Sequence, residues 1–491
     1  MSYETVIGLE VHLQLATNTK AFCGCSTKFG AEPNSHTCPV CLGFPGALPV
    51  LNEQAFLFSI KVALALDCKI QDLIKFDRKN YYYPDLPKNF QISQYDMPLS
   101  YNGSLEITVK GKTRKKIRIR RVHLEEDAGK LVHPVRNSVS NGIHPEGKRS
   151  SLVDYNRGGM PLLEIVTEPD INSPDEAYEY LTKLKSILGY LRVSDCDMEK
   201  GSLRCDANIS IRPGVSGKLG TKVELKNMNT FKGVRSALEH EVNRQESILE
   251  GKGEIAQETR LWNAEKEITT SMRTKEEAED YRYFPEPDLV PFIVDKDLIG
   301  RVKESLPELP EAKLNRFVKD FGLSEYDANV LTSQIDIADY FEECAGLYPN
   351  RKTISNWVTG EILAVLNDKF IGIRDMKLPP RGLAELLKMI DEGAISGKMA
   401  KAIFAEAVET GAGPKEIAEK RGLSQISDRK LIEEMVEAVI RSQAKTVNDY
   451  RSGKSNALAF LIGQIMKESR GKANPALVNE ILKSKLEGGQ I

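Results

Sequence analysis

Two segments far apart in the chain combine carboxylates and a histidine at a spacing that would hold a cation. In "VIGLEVHLQL", strand alternation puts Ile7, Leu9, Val11 and Leu13 on one side and Glu10 with His12 on the other. In "RIRRVHLEEDAGK" it sends Val122 and Leu124 one way and His123, Glu125 and Asp127 the other. Carboxylates crowded on one face of a sheet repel each other unless protons or a cation intervene, so two such strands side by side would make a metal site.

Two further segments extend the pattern. "SLRCDANISIRP" turns Leu203, Cys205, Ala207, Ile209 and Ile211 inward and Arg204, Asp206, Asn208 and Ser210 outward. "TKVELKN" sets Val223 and Leu225 against Lys222, Glu224 and Lys226. Any antiparallel sheet with one wet face alternates in this way, but here acids, His, Arg, Asn and Lys stand where Thr and Ser are common. Oxygen donors outnumber histidine, which suits Mg²⁺ or Mn²⁺ better than Zn²⁺. Lysines and arginines on the same faces are what a phosphate-bearing substrate needs. A nucleotide would have to bind the sheet surface, because no phosphate loop is present. "YRSGKSNAL" at 450–458 would need its first glycine where Asn448 stands, and "GAISGK" at 393–398 is one residue short. Both read as turns between helices.

A second, chemically different cluster is made of thiols. Four of the eight cysteines fall in "AFCGCSTKFGAEPNSHTCPVCLG", as Cys23 and Cys25, then Cys38 and Cys41. Two close pairs on Gly- and Pro-bearing turns can close four thiolates around one tetrahedral Zn²⁺, a site with no open position and therefore structural. His36 lies inside the loop as a bystander. Cys68, Cys196, Cys205 and Cys344 stand in apolar or helical surroundings and read as core.

The elements that must position these groups divide the 491 residues into a sheet-rich region and a helical one. Alternating strands are expected at 5–15, 104–110, 115–125, 203–212 and 221–226, with helices near 53–66 and 174–190. The second helix has clear start signals: Ser173 as cap, Pro174 in the first turn, then Asp175 and Glu176 at the positive end. The stretch 76–99, with four tyrosines among lysines and prolines, reads as an irregular, rigid loop, and "YFPEPDLVPF" breaks regular structure. The expected domains are 1–293, a helical domain 294–410, and a helical tail 411–491 beginning at the Gly411 to Pro414 turn. The basic stretch "KGKTRKKIRIRR" at 110–121 reads as a charge-guarded edge strand or a phosphate-backbone contact. A net charge of -2 gives no global case for nucleic acid. With no apolar run of roughly 18–20 residues and no basic, apolar leader at the start, the expectation is a soluble cytoplasmic protein with no membrane partner.

Several of these segments carry a resemblance. "VIGLEVHLQL", "FDRKNYYYPDLPKNFQISQYDMPL", "HLEEDAGK", "DYNRGGMPLLEIVTEPD", "GSLRCDANIS", "ELKNMNTF" and "DYRYFPEPD" together resemble the B subunits of aspartyl/glutamyl-tRNA(Asn/Gln) amidotransferases, and the similarity runs through "GQIMKESRGKANPALVNEIL". The resemblance implies an α+β fold: a cradle-like sheet domain related to that of glutamine synthetase, an all-helical domain, and a small helical tail that grips tRNA. It implies a ligase that uses ATP to phosphorylate the side-chain carboxylate of Glu-tRNA(Gln) and/or Asp-tRNA(Asn). Ammonia then displaces the phosphate. It would come from an amidase-type partner, the A subunit of a heterotrimer whose small C subunit clasps the other two.

By that resemblance Glu10, His12 and Glu125 are the first choice for Mg²⁺, followed by Asp206 and Glu126. Lys79, Arg157 and Lys226 would hold phosphate or the substrate carboxylate. Glu126 would need a bulge to join Glu125 on one face. Cys23, Cys25, Cys38 and Cys41 would hold Zn²⁺; the family varies in keeping these cysteines, and this chain has all four. The competing readings are a non-catalytic, zinc-stapled RNA-binding scaffold and a metal-dependent hydrolase that needs no ATP.

Overall fold

The computed structural model describes residues 3–109, 114–132, 151–214, 218–274, 281–423, 428–454, 456–469 and 472–487. Lys110 to Thr113, the start of the basic stretch, lie outside the described residues. The chain forms two compact units, Met1–Leu309 and Pro310–Ile491.

Unit 1 is built on a mostly antiparallel nine-stranded sheet. In spatial order its strands are β14 (Ile268–Thr274), β13 (Glu258–Asn263), β12 (Val223–Met228), β11 (Leu203–Pro213), β1 (Tyr3–Gln14), β10 (Pro161–Thr167), β7 (Lys115–Glu126), β6 (Ser100–Ile107) and β2 (Lys69–Ile70). A second sheet of three strands is ordered β15 (Arg282–Pro285), β4 (Asp77–Asn80), β5 (Phe90–Ser93). Two short pairs complete the unit: β3 (Leu73–Ile74) with β16 (Phe292–Ile293), and β8 (Lys130–Val132) with β9 (Leu152–Asp154).

One face of the large sheet is apolar by strict alternation. Ile7, Leu9, Val11 and Leu13 of β1, Val122 of β7, and Ala207 and Ile209 of β11 are fully buried. They pack in one core with residues of α1 (Glu53–Ala65), α2 (Pro174–Leu191) and α3 (Phe231–Glu250). Each of these Ile, Leu and Val side chains contributes on the order of 1.5–3 kcal/mol when removed from water. Helix α2 starts as its sequence requires: Ser173 accepts from the Glu176 backbone N–H at 3.2 Å, with Pro174 in the first turn. α4 (Lys296–Glu304) packs on unit 1, because Val294 and Val302 close a small core with Phe56, Ile60, Ile74 and Leu99.

The tyrosine-bearing stretch is only partly irregular: Tyr81, Tyr82, Tyr83 and Tyr95 lie outside strands, but two short strands enclose the first three. Residues 77–80 and 90–93 form a hairpin, and 282–285 adds a third strand beside it. Pairing with a segment some 200 residues away satisfies the backbone of the short strand β4, a stabilisation that local pattern cannot reveal.

Unit 2 is helical. Ile432, Val436 and Val439 meet Leu461, Ile465, Val478 and Leu482 in the core of its last four helices. The two glycine-rich segments that mimic phosphate loops lie between helices, after Pro380–Asp391 and after Ala444–Arg451. Among the described residues no helix is long and apolar enough to cross a membrane.

Candidate functional site

The face of the large sheet opposite the helices gathers the polar residues into rows. Across β11, β1, β10 and β7, Arg204, His12, Glu164 and His123 stand directly opposite one another in turn. Such partners have Cβ atoms about 4.5–5.5 Å apart, within reach of direct interaction. Glu125, two residues along β7 from His123 on the same face, completes the group. Ligand atoms of His12, Glu125 and Glu164 all lie within 4.8 Å of one another. His123 bridges the two acids, its Nε2 3.3 Å from Glu164 and 3.6 Å from Glu125, while His12 Nε2 is 3.6 Å from Glu164.

Burial opposes ionisation of both acids, but the adjacent imidazoles win. The Glu125 carboxyl is held below the usual range by His123, with His12 adding to it. Glu164 is held well below it by His123 and His12. His12 is raised despite burial, because Glu164 accepts from it. Both acids are thus held as carboxylates, the form that can ligate, and His12 would give up its proton on joining them around a cation.

Glu10 occupies the next row along β1, opposite Asp206. Its Oε1 accepts from Asn208 at 2.9 Å, and burial raises its pKa, with Glu164 and Glu224 adding repulsion. Asp206 is paired with Lys226, which also lies 3.0 Å from Glu224. Burial opposes the charge on Lys226, yet Asp206 and Glu224 raise its pKa. Glu10, Asp206 and Lys226 therefore share the polar face but lie outside the three-residue ligand set.

Lys79 reaches the site from the small sheet. Odd-numbered residues of β4, β5 and β15 share one face: Lys79 stands opposite both Gln91 and Tyr283, and Ser93 donates to Glu125 at 3.0 Å. Desolvation works against the Lys79 ammonium, but the nearby Glu125 charge raises its pKa. Its Nζ lies 4.5 Å from the Tyr281 ring centre.

Two expected residues are engaged elsewhere. The bulge that Glu126 would need is absent: β7 pairs regularly with β10 from Glu126 to Arg121, and the register shifts only between Val166 and Thr167. Strand alternation therefore turns Glu126 away from Glu125. There it pairs with Lys88 and accepts from the Ile92 backbone at 2.9 Å. Arg157 donates to the backbone carbonyls of Ala128 and Gly129 at 3.0 and 2.8 Å and lies 3.6 Å from Asp127. Asp127 in turn accepts from Arg204 at 2.9 Å and Gln14 at 2.7 Å.

Glu164 is a ligand candidate that the sequence-predicted set lacks. It is the lone acid in the apolar run "PLLEIV", and Leu162, on its own face of β10, is also buried, which conceals the alternation. The signal that would have found it is the pairing of β10 between β1 and β7.

The thiol cluster lies on the other side of the end of β7. The sulfurs of Cys23, Cys25, Cys38 and Cys41 all fall within 4.8 Å of one another. Cys41 is drawn down to about 4, first by the hydrogen bond from Cys23, with the Cys38 backbone and Lys20 adding to it. Lys20 is fully buried, 3.7 Å from Cys41 Sγ and 3.1 Å from the Tyr155 carbonyl. A buried ammonium against four thiols is matched by the net negative charge of a thiolate-bound dication. Cys23, Cys41 and Lys20 border a cavity of about 240 Å³ that is also lined by Lys88, Glu126, Arg78 and Glu286.

The polar-face group fits a small hard cation: two ionised carboxylates and an imidazole converge. The Nδ1 of His123 is buried with no hydrogen-bond partner among the described residues.

Comparison with known proteins adds an independent line. Residues 5–300 match the family described as "GatB/GatE catalytic domain", and residues 339–486 match the "GatB domain". A protein of Caldanaerobacter subterraneus subsp. tengcongensis is 55% identical over 486 residues, covering 99% of this chain and 100% of that one. One from Carboxydothermus hydrogenoformans is 54% identical over 484 residues, 99% of each. One from a Geobacter species is 53% identical over 489 residues, 99% of this chain and 100% of that one. Each of the three is named as the B subunit of an aspartyl/glutamyl-tRNA(Asn/Gln) amidotransferase.

Proposed function

Because this chain belongs to the family of aspartyl/glutamyl-tRNA(Asn/Gln) amidotransferase B subunits, we propose that its polar sheet face activates a tRNA-linked carboxylate by phosphorylation from ATP. The family is a ligase acting on aminoacyl-tRNA within a multi-subunit complex. The finer assignments rest on this chain's own residues.

The convergence of His12, Glu125 and Glu164, with Lys79 near enough for the Glu125 charge to act on it, carries the reading. Phosphoryl transfer calls for a cation at the transferring group and further positive charge to orient it, with little covalent work for the protein. His12, Glu125 and Glu164 would hold Mg²⁺, which when bound neutralises phosphate charge. Glu10 and Asp206 line the adjoining row, and Lys79 supplies a cation from the opposite wall. Lys226, already held by Asp206 and Glu224, orients the row rather than presenting a free charge. Arg157 holds the loop at 127–129 and so fixes Asp127 beside Arg204.

Unit 1 is on this reading the cradle-like catalytic domain, and the helical tail after residue 410 grips tRNA. The four thiols hold structural Zn²⁺. An amidase-type partner supplies ammonia, and a small third protein joins the two.

The test uses the assembled complex with Glu-tRNA(Gln), ATP and glutamine. ATP-dependent formation of Gln-tRNA(Gln), lost in Glu125→Gln, is the expected result. Amidation without ATP, or full activity in Glu125→Gln, would overturn the reading.

A further inference from the structure

Lys20 carries a charge that neither the polar sheet face nor the carboxylate pairs of unit 1 employ. It is fully buried, and its ammonium has two acceptors, Cys41 Sγ at 3.7 Å and the Tyr155 carbonyl at 3.1 Å. Among the described residues no carboxylate forms an ion pair with it, and the acids of the neighbouring cavity are taken, Glu126 by Lys88, Glu286 and Asp288 by Arg78. An ammonium held out of water without a carboxylate is costly, whereas a single carbonyl can be served by a neutral donor. The tie to Tyr155 therefore does not account for the charge.

The local chain is shaped to deliver that ammonium to the sulfurs. The Lys20 backbone N–H donates to the Cys25 carbonyl at 3.0 Å, which folds the first cysteine pair back onto its own start. Ala21 donates to the Gly159 carbonyl at 2.9 Å, which brings the lysine against the 155–159 turn. Gly159 has a φ of +86°, and a Cβ there would come within 3.3 Å of Lys20 Cδ and 3.4 Å of Cys41 Cβ. Glycine at 159 thus supplies the left-handed turn and leaves room for the lysine stem beside Cys41.

Four thiolates around a dication leave two negative charges in excess, and an ionised sulfur is a stronger acceptor than a thiol. We propose that Lys20 is the outer charge partner of the metal centre: its ammonium donates to the Cys41 thiolate and sets how tightly the four cysteines hold their ion. This deepens the zinc reading above and rests on it. The ion and the ammonium support each other, since removing the ion takes away the negative excess that answers a buried positive charge. Groups that hydrogen-bond metal ligands from outside the coordination sphere govern affinity in this way.

The experiment uses the full-length chain as wild type, Lys20→Met and Lys20→Gln, each titrated with Zn²⁺ against a chromophoric chelator and separately loaded with Co²⁺ for absorption spectroscopy. The first variant keeps the apolar stem and drops the charge. The second drops the charge but keeps an N–H donor, and it carries the test where the first does not fold. Either is expected to weaken Zn²⁺ binding about 10- to 100-fold. In the Co²⁺ form the sulfur-to-metal charge-transfer bands should move to longer wavelength, because a thiolate relieved of a charged donor gives up its electrons more readily. Unchanged affinity would overturn the proposal. So would weaker binding with unmoved bands, the mark of a lysine that only braces the turn at Tyr155. A wild-type chain that binds neither ion would instead overturn the zinc reading beneath it.

Discussion

The end of β7 separates two candidate ion sites with opposite construction. On one side, His12, Glu125 and Glu164 offer three mixed ligands from three strands of a rigid sheet. On the other, four thiols come from a single loop, with Lys20 buried behind them. Three convergent ligands leave positions for substrate oxygens or water, whereas four thiolates complete a tetrahedron. Adjacent residues of one strand belong to different sites: Glu125 faces the open set and Glu126 the cavity beside the thiols. On the proposed reading, the strand's period of two gives chemistry to one of its faces and fastening to the other.

The sharpest way to break this comparison is to remove charge from the open site while keeping shape. Glu164→Gln and Glu125→Gln should each lower ATP-dependent amidation by about 100- to 1,000-fold, as loss of a positioned electrostatic group does. The melting temperature should shift by no more than about 3 °C. A Glu164→Gln complex with wild-type turnover would show that this acid only orients its neighbouring histidines.

The closed site should respond in the reverse sense. Metal analysis of the purified chain should find about one tightly held zinc ion, and Cys38→Ser should remove it. Stability should fall by about 2–4 kcal/mol in chemical denaturation, a typical range for losing a local cross-link. Protein that remains folded should retain most of its turnover. Zinc-free protein of unchanged stability would refute the fastening role, and full stability with lost activity would exchange the roles of the two sites.

How much of this was legible beforehand follows the same division. Strict alternation in β1, β7, β11 and β12 placed Glu10, His12, Glu125, Asp206 and Lys226 on one face, and close cysteine spacing grouped the thiols. Both signals are local. Glu164 was hidden because its strand is buried on both sides of Leu162 and its partners lie 41 and 152 positions away, at His123 and His12. The small sheet was hidden for a similar reason, since four-residue strands carry too few residues for a period to emerge. Glu126 was resolvable in principle: alternation alone opposes placing it with Glu125, and the pairing with Lys88 gives it another task.

That pairing supplies the next test. Lys88 and Glu126 are nearly sealed from solvent, with side chains 9% and 5% exposed. Breaking one partner of such a pair leaves an uncompensated buried charge, so Lys88→Met should destabilise unit 1 by about 2–3 kcal/mol, somewhat below the usual range because other cations line the cavity. The double variant Lys88→Met, Glu126→Gln should recover much of that loss. Recovery would identify the pair as a fastening of the closed side. Lack of recovery would assign Glu126 a separate partner.

The smallest effect is expected at the turn that ties the two sides together. Asn156 accepts from the His36 backbone at 2.8 Å and donates to the Glu32 carbonyl at 2.7 Å, gripping the cysteine-bearing loop. Its neighbour Arg157 reaches the other way, to the carbonyls of Ala128 and Gly129. A guanidinium serves two carbonyls at once because its donors are fixed in a plane, and a lysine offers only a single ammonium. Arg157→Lys should therefore lower turnover by less than about tenfold while leaving zinc content unchanged, since it loosens the 127–129 loop without removing a substrate contact. If Arg157 instead grips phosphate or the substrate carboxylate, the same change should cost at least about 100-fold. The measured ratio thus decides whether this arginine belongs to the open site's chemistry or to the bracing between the two.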